Sequence, residues 1–592
     1  MNIRSLAASA LVALCMHSSA LAQEPWQADL VLRKEMPAPG AEPLIVRGCG
    51  ISYQNAAGSI VIPGSIGEPF NVSSNYTSVV WLFTGDDRRI VLAGGDSAEG
   101  TRAAFGQVFK VQAFGPLDRV IVQATLVNPI DSTGEAEERG SPLVVTEAND
   151  SGFWLIDGAE RSLLAREGSP APGLPGYVFD DPGITQDGTG FLSASGEVIL
   201  CAAVREADAE PGSSTASGVW TWANGALEPL LVPGMRPDGP TGAPIVSASA
   251  RALHTDGSLI VELTLDEPSG VATAIWRRSG GVGTIVLRTG DVLPGSDGVP
   301  LQYVQYAHSH SSGWMAVIGQ FERDSSIPSH TREGVWRWHP TGASLVVRSG
   351  SDVPGIPGAH FDGFNTHQTV VTADGRVLLR SYAFRDVSGL NDDGAGVTED
   401  NRFGLWRFDE AGGAMLGRAS DPMPGIANRT IKDFAVGQPH PSGKVPVSVF
   451  YRNGGETFYR LDAYDLADGS SVELAGPWAV LEFFDPVWNA QRSYTNRHFY
   501  WERSTSLDMG QRGNVVDSGD AVFTTAGIVL RAPFFSTACL ADSNGDGTLT
   551  PADFNAWVAA FNAGDPAADQ NQDGSINPSD FNAWVINYNA GC

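Results

Sequence analysis

The chain has 592 residues, and 38 Lys and Arg against 67 Asp and Glu give it a formal net charge of −29. A chain this acidic is not a general nucleic-acid binder and is not drawn to anionic membranes. Apolar residues make up 42% of it, enough for a folded core, while 69 Gly and 37 Pro favour many turns between short strands over helical bundles. The length predicts two to four domains, or one large repeat architecture with an appended domain.

The first 22 residues have the pattern of a signal peptide. Arg4 supplies the positive charge, an apolar stretch covers residues 5–16, and Ala20-Leu21-Ala22 forms a small-residue cleavage site. No later stretch has 18 uninterrupted apolar residues, so we expect no membrane span. We therefore expect a protein that is secreted or displayed at the cell surface after cleavage near Ala22.

Removal of the signal peptide takes Cys15 and leaves four cysteines. Cys539 and Cys592 bracket a distinct C-terminal segment, and we expect them to form a disulfide. Cys49 and Cys201 are then left to pair by elimination. Cys201 ends an apolar run, however, so a buried free thiol at this position is an equal alternative.

The middle of the chain is a tandem repeat. An apolar strand, a basic or polar residue and a Pro-Gly turn recur, as in LLAREGSPAPG (163–173), IVLRTGDVLPG (285–295) and LVVRSGSDVPG (345–355). The closing glycines at 40, 100, 173, 239, 295, 355 and 425 are about 64 residues apart on average. Each unit also contains an aromatic strand such as GVWRWHPTG (334–342) and a polar-x-x-Gly turn such as His310-Ser-Ser-Gly313.

Each unit is predicted to contain three or four antiparallel strands and almost no helix. A single sheet of this size cannot bury both of its faces, whereas a ring of such sheets can. The predicted fold is therefore mainly β, a β-propeller over residues 28–535, with eight blades favoured and seven as the alternative. The first strand, near residue 30, is expected to complete the last blade.

The repeats resemble a secreted bacterial family with tandem N-x-x-G-x-x-A-F repeats and R-x-G-D-x-x-P-G turns. Asn55 keeps the Asn of this signature, and Ser, His or Thr takes its place in the other units. The resemblance implies a propeller-like surface protein and no established activity.

Three features of the repeats could suggest an active or binding site, and each has a structural interpretation that we favour. Histidines at 254, 310 and 440 occupy the turn position of Asn55, so His308, His310, His360 and His367 are not predicted to form a metal cluster. The acidic loop at 391–400 lacks the alternating spacing of a calcium loop. The repeated tryptophans could stack on sugars, but their register predicts a blade core; they are Trp154, Trp220, Trp222, Trp276, Trp336, Trp338 and Trp406.

The C-terminal segment contains two twelve-residue loops with the pattern of calcium sites. Oxygen ligands are expected at positions 1, 3, 5 and 12, the backbone carbonyl at position 7, and a glycine at position 6. The predicted ligands of the first loop are Asp542, Asn544, Asp546, Thr548 and Asp553, and those of the second are Asp569, Asn571, Asp573, Ser575 and Asp580. We therefore predict two bound Ca²⁺ ions.

A helix is predicted after each loop, capped by Thr550 or Asn577 with a proline at the first helical position. Both helices begin with the same aromatic pattern, FNAWV at 554–558 and 581–585. The apolar positions follow a helical spacing and are expected to face each other as the core of a small all-α duplicate. They are Phe554, Trp557, Val558 and Phe561 in the first helix, and Phe581, Trp584, Val585 and Tyr588 in the second.

This loop–helix duplicate, with its terminal Gly591-Cys592, resembles a GC-type dockerin over residues 539–592. The resemblance implies calcium-dependent folding and docking to a cohesin-like partner on a scaffold or cell surface. Positions 10 and 11, often a Ser-Thr-like recognition pair in dockerins, are Pro551-Ala552 and Pro578-Ser579 here. The departure puts the usual cohesin partner in doubt and leaves the metal site intact.

Two functions are compatible with this organisation. The first is a non-catalytic recognition or adhesion protein, whose propeller binds an extracellular ligand such as a polysaccharide and whose tail attaches it to a partner. The second is a polysaccharide-degrading glycoside hydrolase delivered by its dockerin. The first is favoured because the sequence contains no catalytic motif in a fitting context.

Overall fold

The computed structural model describes the chain from residue 29 to residue 590, with gaps. The positions within these limits that it does not describe are 34–35, 50–52, 55–58, 69–75, 86, 129–144, 147, 181–188, 194, 214–215, 255, 322–331, 385–396, 399–400, 424–428, 438, 440–443, 454–455, 476–479, 486–489, 496–519, 526–527, 534–540, 542, 544–549, 564–567, 569 and 571–575.

The described chain is mainly β, as predicted, and its strands form antiparallel sheets in chain order. Sheet 1 contains β2 (Ile45–Cys49), β3 (Tyr53–Gln54), β4 (Ile60–Gly67), β5 (Thr77–Thr84) and β6 (Asp87–Ala93). Sheet 2 contains β7 (Ala104–Phe114), β8 (Val120–Val127), β9 (Ser151–Asp157) and β10 (Glu160–Arg166). Sheet 3 contains β11 (Tyr177–Phe179), β12 (Thr189–Leu192), β13 (Val198–Glu206), β14 (Ala216–Ala223) and β15 (Ala226–Leu231).

The next four sheets repeat this order. Sheet 4 contains β16 (Ile245–Leu253), β17 (Leu259–Glu267), β18 (Gly270–Ser279) and β19 (Val282–Arg288), and sheet 5 contains β20 (Leu301–Ser309), β21 (Met315–Phe321), β22 (Glu333–His339) and β23 (Gly342–Arg348). Sheet 6 contains β24 (His360–Phe361), β25 (Thr369–Val371), β26 (Val377–Phe384), β27 (Phe403–Phe408) and β28 (Gly413–Arg418). Sheet 7 contains β29 (Ile431–Val436), β30 (Lys444–Asn453), β31 (Glu456–Asp465) and β32 (Ser471–Ala475).

The remaining elements belong to the two ends of the chain. β33 (Val480–Asp485) and β34 (Ala490–Thr495) form a hairpin, and β1 (Asp29–Arg33), β35 (Asp520–Thr525) and β36 (Ile528–Pro533) form a three-stranded closing sheet. Two α-helices follow, α1 (Pro551–Ala563) and α2 (Pro578–Ala590). Short 3₁₀ turns lie at Pro116–Asp118 and Thr366–Gln368.

In most sheets a buried tryptophan is hydrogen-bonded to the entry turn, which is the turn that ends at the closing glycine before the same sheet. The indole Nε1–H donates to the carbonyl of the residue before the closing glycine, and a β-bulge lies beside the tryptophan in the sheet. The donor–acceptor distances are 3.2 Å for Trp81 and Pro39, 3.2 Å for Trp154 and Glu99, 2.9 Å for Trp220 and Pro172, 2.9 Å for Trp336 and Pro294, and 3.2 Å for Trp406 and Pro354. Five of the seven tryptophans predicted to form the blade core are buried, which confirms the prediction for them, while Trp222 and Trp338 are half-buried. The five are Trp154, Trp220, Trp276, Trp336 and Trp406.

The entry turn requires glycine at its last position. Gly295 has φ +78°, a conformation that residues with a side chain rarely adopt. A Cβ atom here would also lie 2.6 Å from Leu345 Cδ2 of the same sheet. The repeated Pro-Gly pair in the sequence therefore reflects both the turn geometry and a close packing contact.

Consecutive sheets pack on each other and are joined by polar contacts. One apolar cluster combines Val61 and Leu82 of sheet 1 with Val122 and Trp154 of sheet 2. Between sheets 6 and 7, the Arg380 guanidinium donates to both carboxylate oxygens of Asp433, at 2.9 and 2.8 Å. Each sheet thus covers a face of its neighbour, as the repeat pattern predicts.

Strand β1 closes the series of sheets. β1 pairs antiparallel with β36, and Leu30 lies opposite Leu530. Leu32 is fully buried in a cluster that also contains Val46 and Trp81 of sheet 1. β1 therefore joins the last sheet to the first, which confirms that the strand near residue 30 completes the final sheet, and the arrangement is that of a β-propeller.

Cys49 and Cys201 do not form a disulfide, so the pairing by elimination is wrong. The two residues lie in sheets 1 and 3, and the Cys201 thiol is buried 3.7 Å from the Ala248 carbonyl oxygen. The alternative of a buried thiol at Cys201 is confirmed. Burial also raises the pKa of the Cys49 thiol to about 12. Cys539 and Cys592 lie outside the described residues, and their disulfide stays a prediction.

Candidate functional site

The two C-terminal helices begin in the same way, and each buries a carboxylate in its first turn. Asp553 and Asp580, at position 12 of the predicted loops, are both completely buried. The Thr550 N–H donates to Asp553 Oδ2 at 2.7 Å, and the Asn577 N–H donates to Asp580 Oδ2 at 2.8 Å. Each carboxylate therefore caps the backbone N–H of the residue three positions earlier, which fixes the helix start beside the predicted metal loop.

The two repeats hold each other through their tryptophans. The Trp557 indole N–H of α1 donates to the Ala568 carbonyl oxygen at 3.1 Å, directly before the second predicted loop. The Trp584 indole N–H of α2 donates to Ser543 Oγ at 3.3 Å, within the first predicted loop. Both tryptophans are buried. Each helix is thus hydrogen-bonded to the loop region of the other repeat.

The predicted aromatic stripes are only partly internal. Trp557 and Trp584 are buried, and their ring centroids are 6.2 Å apart, whereas Phe554, Phe581 and Val585 are 37%, 44% and 36% exposed. Phe554 nevertheless packs on Trp584, with ring centroids 5.0 Å apart, and Phe581 packs on Trp557 at 5.8 Å. The expectation that the stripes face each other is therefore confirmed for these rings, but the three exposed side chains are not buried in the core. They lie at the edge of the core, because the space between two short helices is already filled by the two tryptophans and by two alanines. These alanines, Ala541 and Ala568, directly precede the predicted loops and are fully buried.

Eight of the ten predicted calcium ligands lie outside the described residues, and only the position-12 carboxylates can be compared with the prediction. Within the described part of the chain, no group of three or more His, Cys, Asp or Glu side chains could hold a metal ion. The ligands outside the described residues are Asp542, Asn544, Asp546, Thr548, Asp569, Asn571, Asp573 and Ser575.

The chemistry of this segment fits calcium. Residues 539–592 contain seven Asp and no Glu, Lys, Arg or His. Two of these carboxylates, Asp553 and Asp580, are buried, and burying a carboxylate is costly unless a positive charge compensates it. Since the segment supplies no basic side chain, a hard cation bound by carboxylate and amide oxygens is a suitable partner.

The histidines of the repeats have structural partners. In each described polar-x-x-Gly turn, the glycine N–H donates to the carbonyl of the polar residue, at 2.9 to 3.0 Å. His310 Nδ1 also accepts the Ser312 N–H at 3.1 Å, which confirms the turn role. The ring of His254 instead lies 2.7 Å from Ser309 Oγ on the next sheet. Asn55 and His440 are outside the described residues.

Two further histidines considered for a metal cluster, His308 and His360, also have neighbours that fit a structural role. His308 is buried, and its Nδ1 accepts the Val371 N–H at 3.1 Å, which joins sheets 5 and 6. His360 Nδ1 lies 3.3 Å from Asp352 Oδ1, and His367 lies in a 3₁₀ turn. Most of the acidic loop at 391–400 lies outside the described residues, so its interpretation as a solvated loop stays a prediction.

Comparison with solved structures finds β-propellers at low sequence identity. The β-propeller domain of the Trilobed protease from Pyrococcus furiosus matches with 8% identity and a TM-score of 0.30, covering 73% of this chain and 97% of that chain. The Dos1 propeller matches with 7% identity and a TM-score of 0.35, covering 86% and 95%. The polysaccharide lyase Uly1 matches with 11% identity and a TM-score of 0.32, covering 73% and 91%.

No helix in the described ranges is long and apolar enough to cross a membrane. No curated protein shows significant similarity to the chain. One family model, described as "Family of unknown function (DUF7453)", matches residues 16–234 and again residues 192–446. The two matches together span more than half of the sequence, and the chain therefore belongs to this family of unknown function, DUF7453.

Proposed function

We propose that this protein is an exported, non-catalytic recognition protein. Its propeller binds an extracellular ligand, and its dockerin-like tail, loaded with two Ca²⁺ ions, attaches it to a cohesin-like partner. The observation that carries the proposal is the pair of buried carboxylates, Asp553 and Asp580, at equivalent positions of a segment without basic residues. Two Ca²⁺ ions would offset part of the negative charge of the seven aspartates in this segment.

The propeller in this proposal has eight blades. Sheets 1 to 7 supply seven of them, each from a contiguous stretch of the chain. The eighth is assigned to the hairpin of β33 and β34 together with the closing sheet of β1, β35 and β36. The pairing of β1 with β36 supports this assignment, because a closed ring leaves only short, protected sheet edges.

The exposed aromatic side chains of the tail support a docking role. The rings of Phe554 and Phe581 are 6.1 Å apart at the start of the two helices, and Val585 lies one turn further along α2. Clusters of exposed large apolar side chains are typical of protein interaction sites. Prolines occupy the usual dockerin recognition position 10, so these phenylalanines are the side chains we assign to contact with the partner.

A calcium titration of the full-length protein tests the metal assignment. Isothermal titration of calcium-free protein is expected to give two bound ions, and chelation is expected to reduce the helical circular dichroism signal. Asp546→Asn combined with Asp573→Asn removes one ligand from each predicted loop and should weaken both sites. Asp565→Asn is the matched control, because it removes a carboxylate of the same segment outside the predicted ligand set. A stoichiometry of zero would refute the calcium assignment.

A polysaccharide panel separates recognition from the alternative glycoside hydrolase. Recognition predicts retention of the protein on a polysaccharide without release of new reducing ends. Release of reducing ends that scales with enzyme concentration would establish the hydrolase instead. Deletion of residues 539–592 should abolish attachment to a cohesin-like partner in either case, and should leave polysaccharide retention unchanged.

A further inference from the structure

We propose that the propeller binds the carboxylate of a uronic-acid unit between Arg277 of sheet 4 and His339 of sheet 5, and that its ligand is a mainly neutral polysaccharide bearing isolated uronate groups. The inference rests on the proposed recognition function and names its site and ligand class. Its structural basis is a pair of hydrogen-bond donors that converge above one glycine and have no acidic partner among the described residues.

The two donors converge above Gly313, in the turn between β20 and β21. A Cβ atom at Gly313 would lie 3.5 Å from Arg277 Nη2 and 3.6 Å from His339 Nε2. Because both nitrogens are this close to the same point, they are no more than about 7 Å apart. A carboxylate has two oxygens that each accept N–H bonds of about 2.8 Å, so a single carboxylate can reach both donors.

Each donor is held against an aromatic ring. The Arg277 guanidinium lies 5.7 Å from the centre of the Trp338 ring, and the His339 ring packs on Trp314 with centroids 4.7 Å apart. His339 Nδ1 accepts the Thr341 N–H at 3.4 Å, which leaves the ring hydrogen on Nε2, where it can be donated to a ligand. Both donors are thus oriented before a ligand binds, and binding loses little side-chain entropy.

Arg277 lacks the bond that arginines at the same repeat position make. Arg337 and Arg407 also directly follow the core tryptophan of their sheets. Arg337 donates to the Gly375 carbonyl of sheet 6 at 3.3 Å, and Arg407 donates to the Leu466 carbonyl beyond β31 of sheet 7 at 2.8 Å. Within the described part of the chain, Arg277 makes no hydrogen bond and no ion pair. Its guanidinium is therefore available to an anionic ligand.

The polar groups beside the two donors suit a sugar. Five tryptophans donate their indole N–H to an entry turn, whereas those of the half-buried Trp314 and Trp338 have no partner in the described ranges. Ser312 and Thr341 add exposed hydroxyl groups in the turns that precede β21 and β23. Sugar hydroxyls can accept hydrogen bonds from indoles and both donate to and accept from serine and threonine. These surroundings favour a sugar acid as the carrier of the carboxylate.

The charges around the site narrow the ligand class. Asp256 is close enough to be affected by the charge of Arg277, but its Oδ1 accepts the Ser258 N–H at 2.8 Å and no ion pair joins it to Arg277. The net charge of −29 repels a densely charged polyanion over long range. A single uronate on a neutral chain meets much less of this repulsion and still reaches both donors, so we assign isolated uronate groups to the ligand.

The test titrates the full-length protein with xylo-oligosaccharides that carry one glucuronate. The matched ligand is the same oligosaccharide after its carboxyl group has been reduced to an alcohol. Isothermal titration is expected to show an affinity about 10-fold or more lower for the reduced form, because the charged acceptor is lost. Polygalacturonate, a dense polyanion, should bind more weakly than the oligosaccharide with one glucuronate at low salt.

Variants of the two donors test the site itself. Arg277→Gln should lower the affinity for the uronate oligosaccharide about 10- to 30-fold, and His339→Ala about 3- to 10-fold. His339→Gln keeps a side-chain N–H and should recover most of the loss. Because both donors hold one carboxylate, the double change of Arg277→Gln with His339→Ala should cost less than the product of the single effects. Arg88→Gln is the control, since Arg88 also lies over a ring, Phe83 at 5.6 Å, but in sheet 1.

The outcomes separate this site from the recognition function. Equal affinities for the uronate and reduced oligosaccharides, or full affinity in Arg277→Gln with an unchanged urea midpoint, would refute the site and leave recognition standing. Retention on other polysaccharides without binding of the uronate oligosaccharide would do the same. Failure to bind any polysaccharide would refute both. If Arg277→Gln lowers the urea midpoint, the two His339 variants decide, and equal affinities of His339→Ala and the unmodified protein would overturn the site.

Discussion

Replacement of Trp336 by Phe probes the contact that links each sheet to its entry turn. The Trp336 indole is fully buried, and it donates to the Pro294 carbonyl at 2.9 Å. Pro294 itself is exposed, so water can replace the lost donor, and removal of the hydrogen bond costs about 0.5–1.5 kcal/mol. The smaller ring also leaves a void of roughly 40 Å³, worth about 1 kcal/mol at 24 cal/mol per Å³. We therefore expect a destabilisation of about 1.5–2.5 kcal/mol.

Trp338→Phe is the matched control from the same strand. Trp338 is half-buried, and its ring faces the Arg277 guanidinium at 5.7 Å. Loss of part of this exposed cation–π contact should cost less than about 1 kcal/mol. The two variants therefore differ in burial and in the bond to the entry turn, while the chemical change is the same.

Urea denaturation measures the loss of stability, and hydrogen exchange localises it. In Trp336→Phe, exchange should accelerate at the Ser296 amide, which bonds to the Leu293 carbonyl in the entry turn at 3.1 Å. In Trp338→Phe, exchange at this amide should stay as in the unmodified protein. Equal losses of stability in the two variants, or unchanged exchange at Ser296 in both, would refute the role assigned to the indole N–H.

Three further predictions concern the propeller. Burial lowers the pKa of His254 to about 4; Asp256 opposes this shift, while His310 and Arg277 add to it. Because the folded protein binds this proton less readily than the unfolded chain, stability should fall as the pH drops from 6.5 toward 4. His254→Asn should flatten this dependence in melting temperatures measured across that range. Leu32→Ala should cost about 2–5 kcal/mol in urea unfolding because Leu32 is fully buried at the ring closure, whereas Leu117→Ala, at a side chain 83% exposed, should cost almost nothing. Arg380→Lys should cost about 1–2 kcal/mol by the same measurement, because a lysine cannot reproduce the two bonds to Asp433; an unchanged unfolding midpoint would contradict this.

The sequence predicted the features of the fold that depend on local geometry. The polar-x-x-Gly turn is formed within four residues, and a positive φ at the closing glycine follows from the Pro-Gly turn itself. The repeated tryptophans were predicted to be core because they recur in register with these turns. Strand alternation and repeat spacing were therefore sufficient for the mainly β assignment and for the closing role of β1.

Contacts between residues far apart in the chain were not predictable in the same way. The His254 ring bonds to Ser309 on another sheet, although the same position in the repeat at His310 caps its own turn. The spacing of residues in the sequence does not distinguish a histidine that bonds to another sheet from one that caps its own turn. The helical spacing also did not predict that Phe554 and Phe581 are exposed. Two short helices do not provide enough surface to bury every apolar side chain of both stripes.

The pairing of β1 with β36 has a consequence for the order of folding. Residue 33 lies opposite residue 528, so β1 cannot pair with β36 until almost all of the chain has been synthesised. Closing a loop of this length costs about 5 kcal/mol of chain entropy before the contacts of Leu32 compensate it. Sheets 1 to 7 pair strands that are near in sequence and can form during synthesis, whereas the ring is completed only after its final strand appears. A chain that stops short of β36 leaves β1 without its partner strand and exposes an unpaired sheet edge to aggregation.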